Sequence, residues 1–312
     1  MITNKSAKFP LTSQGKNQDL HAKFKIDRDL YPFNSNYIEV RKGIHIHYVD
    51  EGKGPVILML HGNPTWSFLY RKMIHELKGE FRVIAPDYPG FGLSPTPLNY
   101  DFLPSTHSQI IEEFINLLGL KDIILVMQDW GGPIGLNIAT NSPELIKGMV
   151  LGNTWAWPLK RFGQKMFSHI MGGFIGRWMA RSFNGVWHVF MKKGFVKPPS
   201  SQELAMYKAP FENGRNFKQT AIFPKELYNS RVFLSKIESS LPILKDKPVL
   251  FTWGTHDFAF QKPELKLFQS IFKNHEVKML DASHFWQDEQ GELASKYLKN
   301  WASNNGWINS KK

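Results

Sequence analysis

The chain has 312 residues, 42% of them apolar and 14% aromatic, enough for one large core carrying an insertion. It contains no cysteine, which excludes disulfides, thiolate catalysis and cysteine-based metal sites. The formal net charge is +12, but no helix-turn-helix, zinc-finger or RNP-like pattern accompanies it, so a basic surface is expected and a nucleic-acid partner is not.

Residues 1–8 lack the apolar stretch of a secretory signal, and no apolar run approaches the roughly 20 residues that span a bilayer. A cytoplasmic protein is expected. Residues 1–35 read as a weakly ordered, irregular arm. Residues 37–40 and 44–49 alternate apolar and polar around Lys42-Gly43, the pattern of a β-hairpin. Residues 55–60 are continuously apolar, as in a strand covered on both faces of a parallel sheet, and run into His61-Gly62-Asn63-Pro64. Helix-spaced apolar residues occupy 66–79, a strand 81–86, a loop 87–94 and a helix 105–118. The strand at 123–126 leads into Met127-Gln128-Asp129-Trp130-Gly131-Gly132, and a helix continues to about residue 142. Residues 147–151 form another strand, closing on Gly152-Asn153-Thr154.

The pattern then changes. Residues 155–235 hold no clear buried strand, and Ser200-Ser201-Gln202-Glu203 contains a capping-box pattern, so this stretch reads as a helical insertion. Alternation resumes with a strand at 248–254, a helix at 261–272, a strand at 276–280 and a final helix from about 287 to 303. The whole predicts an α/β, mostly parallel, doubly wound sheet with ligands bound beyond the strand C-termini. Its core is 1–154 and 236–312, interrupted by a helical lid at 155–235.

Strand, tight turn and helix around Asp129 make a nucleophile elbow with a carboxylate at its apex. Such a carboxylate either attacks carbon to form an ester with the protein or merely caps the following helix. A nucleophile needs a base, an orienting acid and donors for developing charge. His284 lies just past the last predicted strand, at the same sheet edge as Asp129. His61 is assigned to bracing its own turn, and His256 and His275 to loops. Among acids, Asp257 follows a strand in Gly254-Thr255-His256-Asp257, and Asp87 reads as a turn brace. Asp281 stays open as the alternative, although it is close to His284 in sequence. No HExxH-like spacing appears, and no metal is expected.

The order Asp129, Asp257, His284 is the nucleophile–acid–base order of α/β-hydrolases. From about Tyr37 to Trp301 the chain resembles the haloalkane dehalogenases, through HGNPTWSFLYR, VIAPDYPGFGLS, VMQDWGGPIG, GTHD and ASHF. HGxP and DWGG are shared with epoxide hydrolases; Gln128 and Asn63 favour a dehalogenase. The resemblance implies the α/β-hydrolase fold and hydrolysis of a small apolar haloalkane by water to alcohol, halide and proton. It implies a covalent ester on Asp129, a water activated by His284 with Asp257, and halide held by the Asn63 and Trp130 side chains. Their backbone N–H groups would form the oxyanion hole. No cofactor is implied.

Asn63, Trp130 and Asp257 resemble the subgroup with Asn–Trp donors and the acid after the strand that follows the lid. Residues 155–196 match no tunnel-lining position, so substrate size is not implied. An epoxide hydrolase remains an alternative and would need two lid tyrosines, for which Tyr207 and Tyr228 are the candidates. A coelenterazine-type luciferase, which resembles a different subgroup, and a non-catalytic small-molecule receptor are two more.

Residues 155–235 carry 13 Lys and Arg against 3 Glu and no Asp, a surplus of 10 out of the chain's +12. They also carry Phe162, Phe167, Phe174, Trp178, Phe183, Trp187, Phe190 and Phe195, more than one narrow face would bury. The composition predicts an exposed apolar patch rimmed by cations, suited to self-association or to contact with an anionic membrane.

Overall fold

A computed structural model describes residues 24–95, 99–159, 185–212 and 218–309. Eight strands form one sheet: β1 (Asn36–Arg41), β2 (Ile44–Glu51), β3 (Val56–Leu60), β4 (Arg82–Pro86), β5 (Ile123–Gln128), β6 (Ile146–Gly152), β7 (Val249–Gly254) and β8 (His275–Leu280). Their order is β1-β2-β4-β3-β5-β6-β7-β8. The first hairpin joins β4 antiparallel, and every pair from β4 to β8 is parallel. The continuous apolar runs of β5 and β7 are buried at every residue because helices cover both sheet faces.

The helices are α1 (Arg71–Leu77), α2 (Pro104–Leu117), α3 (Gly131–Asn141), α4 (Gly185–Lys193), α5 (Ser201–Glu212), α6 (Lys218–Asn229), α7 (Arg231–Ser240), α8 (Lys262–Ile271), α9 (Trp286–Glu289) and α10 (Gly291–Asn304). Helices α4 to α7 lie between β6 and β7 in sequence, and α7 packs on α3 of the core. None of the described helices is long and apolar enough to cross a membrane.

From β3 the chain goes to β4 on one side and later returns to β5 on the other. The crevice beyond β3 and β5 is therefore the switch point where ligands bind in such sheets. Leu60 pairs with Met127, so His61-Gly62-Asn63 and Gln128-Asp129 leave the sheet side by side.

Several expectations need correction. The described part of the arm is irregular but not loose: Tyr31 and Phe33 are buried, and the Tyr31 hydroxyl bonds Ser67 Oγ at 2.6 Å. His275 opens β8 rather than lying in a loop. The last helix is two helices, because Gln290 leaves the helical region (φ −130°, ψ 31°), a one-residue break that periodicity does not register. Of the aromatics from which an exposed patch is expected, Trp187, Phe190 and Phe195 are buried and do not join it, while Phe162, Phe167, Phe174, Trp178 and Phe183 lie outside the described residues.

Helix α5 is fastened to the core by a buried ionic cluster. Arg71 at the start of α1 forks onto Asp288 (Nη1–Oδ2 2.8 Å, Nη2–Oδ1 2.9 Å) and also pairs with Glu203 of α5. Tyr207 of α5 donates its hydroxyl to Asp288 Oδ2 at 2.6 Å. Burial opposes ionisation of Asp288, but Arg71 and Lys72 outweigh it and hold the carboxyl below its ordinary 3.8.

Replacing Arg71 by Met should therefore cost about 3 kcal/mol in urea unfolding, because it removes the forked partner of a buried carboxylate and leaves it, among the described residues, only Lys72 and the Tyr207 hydroxyl. A depressed carboxyl contributes stability above its ordinary pKa and loses it as pH falls through the folded value. The gap between wild type and variant should accordingly narrow on acidification through that range.

Candidate active site

The geometry begins with the backbone of Asp129, whose φ of 49° lies in the left-handed region that non-glycine residues rarely occupy. Its N–H donates to Asn153 O at 3.1 Å, and its carbonyl accepts from Thr154 Oγ1 at 2.7 Å and Gly132 N at 3.0 Å. The tip of β6 thus grips the turn from both ends. A side chain at Gly131 would collide with Leu60 O, and one at Gly132 with Thr154 Oγ1, so the turn and the start of α3 require glycine. A Cβ at Gly62 would strike the Asp129 side chain itself.

Close approach of the β3 loop lets Asn63 N–H donate to Asp129 Oδ1 at 2.8 Å. The other oxygen, Oδ2, lies 3.6 Å from His284 Nε2. His284 is buried, and its Nδ1 is 2.9 Å from Asp257 Oδ2, which follows β7. Asp129, Asp257 and His284 therefore converge at one sheet edge although they are far apart in the chain. The other acids are occupied elsewhere. Asp281 is exposed and paired with His256 at 2.8 Å. Asp87 accepts from Ser67 N and Leu93 N and faces His47 Nδ1 at 2.9 Å.

His61 faces Gly62 O through Nδ1 at 2.9 Å and accepts Tyr88 N–H through Nε2 at 3.3 Å. Burial pushes its pKa down to about 4, so it is a neutral brace for the two loops. The Asn63 amide Nδ2 makes one long bond, 3.4 Å to Thr220 O, and can offer its second N–H to the pocket. The Trp130 indole N–H has no partner among the described residues, and its ring packs edge-on against Trp155 and Phe223 at 4.7 and 5.2 Å. Phe190, Phe258, Phe260 and Phe285 surround the His284 ring at 5.0–6.0 Å between centroids.

In this apolar setting burial raises the Asp129 pKa, while His284 and the N–H groups of Asn63 and Trp130 pull it down; the net direction is up. Burial also disfavours the His284 cation, but Asp257 and then Asp129 outweigh it, and the net shift is above 6.5. An ionised carboxylate, a base with an oriented partner and two neutral N–H donors can together support nucleophilic displacement followed by hydrolysis. Among the described residues no three His, Asp or Glu side chains converge as metal ligands do.

Gln128 is a contact that the motif reading overlooks. Its Nε2 is 2.8 Å from His284 Nε2 and 3.2 Å from His284 O, and its Oε1 has no partner. An amide N–H donated to Nε2 requires the Nδ1–H tautomer, the one that donates to Asp257. The signal was available: Gln128 is the one polar residue ending an otherwise apolar strand.

Residues 55–290 match the family described as alpha/beta hydrolase fold. Haloalkane dehalogenase 2 of Mycobacterium tuberculosis is 39% identical over 269 residues, 85% of this chain and 94% of that protein. Cis-3-alkyl-4-alkyloxetan-2-one decarboxylase of Shewanella oneidensis is 30% identical over 284 residues, 87% and 89% of the two chains. The crystal structure of haloalkane dehalogenase DatA from Agrobacterium tumefaciens C58 has the same fold, with a TM-score of 0.79 over 87% of this chain and 96% of that one at 24% identity.

His284 should titrate above 6.5 by NMR in the free protein. Asp257→Asn removes the largest contribution that favours the cation and should bring the pKa below the wild-type value, with burial then unopposed by that charge. An unchanged titration in the variant would mean that Asp257 does not set the state of His284.

Proposed function

The chain belongs to the haloalkane dehalogenase family of the α/β-hydrolase fold, hydrolases acting on carbon–halogen bonds, and from that premise we propose that its reaction runs through an ester on Asp129. One observation carries the reading: the two oxygens of Asp129 are inequivalent. Oδ1 is held by Asn63 N–H, and Oδ2 faces His284. Oδ2 attacks the carbon in line with the leaving halide, and the side-chain N–H groups of Asn63 and Trp130 take up the departing anion.

Oδ1 then becomes the ester carbonyl oxygen and already lies on a backbone donor. Neutral His284, oriented by Asp257, exchanges the Gln128 amide at Nε2 for a water and removes its proton, and the water attacks that carbonyl. The N–H groups of Asn63 and Trp130 stabilise the oxyanion. Collapse, with His284 returning its proton to the leaving oxygen, releases the alcohol and leaves Asp129 as the acid, which loses a proton to regenerate the carboxylate. The Asp-His-Asp set with Asn–Trp donors is thus the proposed machinery, and residues 155–235 the proposed lid. Supporting the lid assignment, Phe190 and Phe223 from the insertion pack at an angle against His284 and Trp130. Trp187, Phe190 and Phe195 are buried and lend no support to self-association or lipid contact through the basic lid, whereas Tyr228 of the same insertion is exposed.

The epoxide reading loses one of its two hydroxyls, since Tyr207 is committed to Asp288. Similarity to the oxetanone decarboxylase favours a different second reading. A β-lactone opened at its ring C–O carbon by Asp129 would leave a carboxylate where halide would sit. Loss of CO2 with expulsion of the Asp129 carboxylate would then yield an alkene.

Incubation with a 1-bromoalkane, an epoxide and a cis-oxetanone separates these chemistries by bromide, diol and CO2 release; dominant CO2 release would favour the second. His284→Phe should accumulate an alkyl adduct on Asp129 in the mass spectrum after bromoalkane treatment, and no adduct would contradict the ester mechanism. Bromide should quench tryptophan fluorescence saturably. Asn63→Ala should weaken that binding roughly tenfold, the scale of one hydrogen bond to an ion.

A further inference from the structure

His284 stands on a short segment between β8 and α9, and this segment is bonded to the chain just after α4. Phe285 N–H donates to Gly194 O at 3.0 Å, and Ser283 Oγ to Lys193 O at 3.2 Å. A side chain at Gly194 would press into the Phe285 ring and Phe190 O, so this approach requires glycine. Phe195 packs on Phe285 at 4.9 Å. One carboxylate completes the join. Glu289 Oε1 accepts from Val196 N at 2.7 Å and Lys197 N at 3.0 Å, and its Oε2 accepts from Ser283 N at 2.7 Å.

We propose that Glu289 is a positioning residue that fastens the His284 loop to the stretch of the insertion just after α4, so that ester hydrolysis, but not the preceding alkylation, depends on how that stretch is seated. The proposal rests on the ester mechanism above. Charged acceptors make the stronger hydrogen bonds, and here a single carboxylate takes three backbone donors from two separate stretches of chain. Apolar packing holds Gly194 and Phe195 against Phe285 but does not extend to Val196 and Lys197, which are exposed. The neighbouring Asp288 makes a second tie, to Tyr207 of α5 and through Arg71 to Glu203. The single turn of α9 therefore holds the insertion at two points immediately after the base.

The two chemical steps draw on different supports. Alkylation uses Asp129, Asn63 and Trp130, carried by the ends of β3 and β5, and the insertion contacts of Asn63 and Trp130, at Thr220 and Phe223, come from α6 and not from the stretch that Glu289 holds. Hydrolysis adds His284, carried by the joined unit. A catalytic group displaced by about an ångström loses much of its effect, so loosening the join should act on the second step.

Single-turnover reactions with excess enzyme and 1-bromobutane resolve the steps: bromide reports alkylation, and butanol reports hydrolysis. In Glu289→Ala, bromide release should stay within about twofold of wild type while butanol formation slows roughly tenfold or more, and the Asp129 ester should accumulate. Glu289→Gln keeps one carbonyl acceptor and should fall between. Hydrogen exchange at Val196, Lys197 and Ser283 should quicken together in Glu289→Ala. Equal slowing of both steps, no slowing of either, or quickened exchange at Ser283 alone would overturn the proposal. Absence of any ester in His284→Phe would instead overturn the mechanism on which it rests.

Discussion

The backbone of Asp129 is the constraint on which the rest of the site depends. A left-handed conformation costs a non-glycine residue of order 1–3 kcal/mol and persists only where the surroundings over-determine it. Here Asn153, Thr154 and Gly132 bond both ends of the residue, and glycines at 62, 131 and 132 let three elements close around it. The result is a carboxylate lifted clear of the sheet with one oxygen held and the other presented. A side chain at any of those glycines would push the elements apart and release the conformation.

The second feature of the site is its charge balance in an apolar enclosure. Two carboxylates and one imidazole are buried among phenyl and indole rings. In such surroundings each charge is disfavoured alone and tolerated only through its neighbours. The direction of each shift reflects this: Asp129 is raised mainly by burial, and His284 is raised because Asp257 and Asp129 outweigh burial. Esterification of Asp129 would remove one of those negative charges. His284 would then hold its proton less tightly at the stage where the proposed mechanism uses it as a base.

Around α9 the helical insertion is joined to the core by polar contacts as well as by aromatic packing. Arg71, Asp288, Tyr207 and Glu203 form a buried cluster, and Glu289 accepts three backbone N–H groups. Ionic and charge-assisted bonds of this kind fix one arrangement more sharply than apolar contact, which tolerates sliding. That is the physical basis for linking the seating of the insertion to the placement of His284.

The alternation of apolar runs and amphipathic stretches, interrupted at 155–235, determined the α/β class and the strand-by-strand layout, because strand and helix periods are local properties of the chain. Asp129, Asp257 and His284 were legible as candidates for a related reason: each directly follows a predicted strand, and parallel strands deliver such positions to one edge. What the tertiary structure decided were relations between distant residues. The sequence left Asp281 open beside Asp257, and three-dimensional contact puts Asp257 against His284 and Asp281 against His256. It buried Tyr31 and Phe33, in an arm that composition suggested would be loose. It gave Gln128, Arg71 and Glu289 partners 156, 217 and 93 residues away, at His284, Asp288 and Val196. No periodicity or motif encodes such pairings, since a hydrogen bond across the fold depends on where two segments meet and not on the spacing within either.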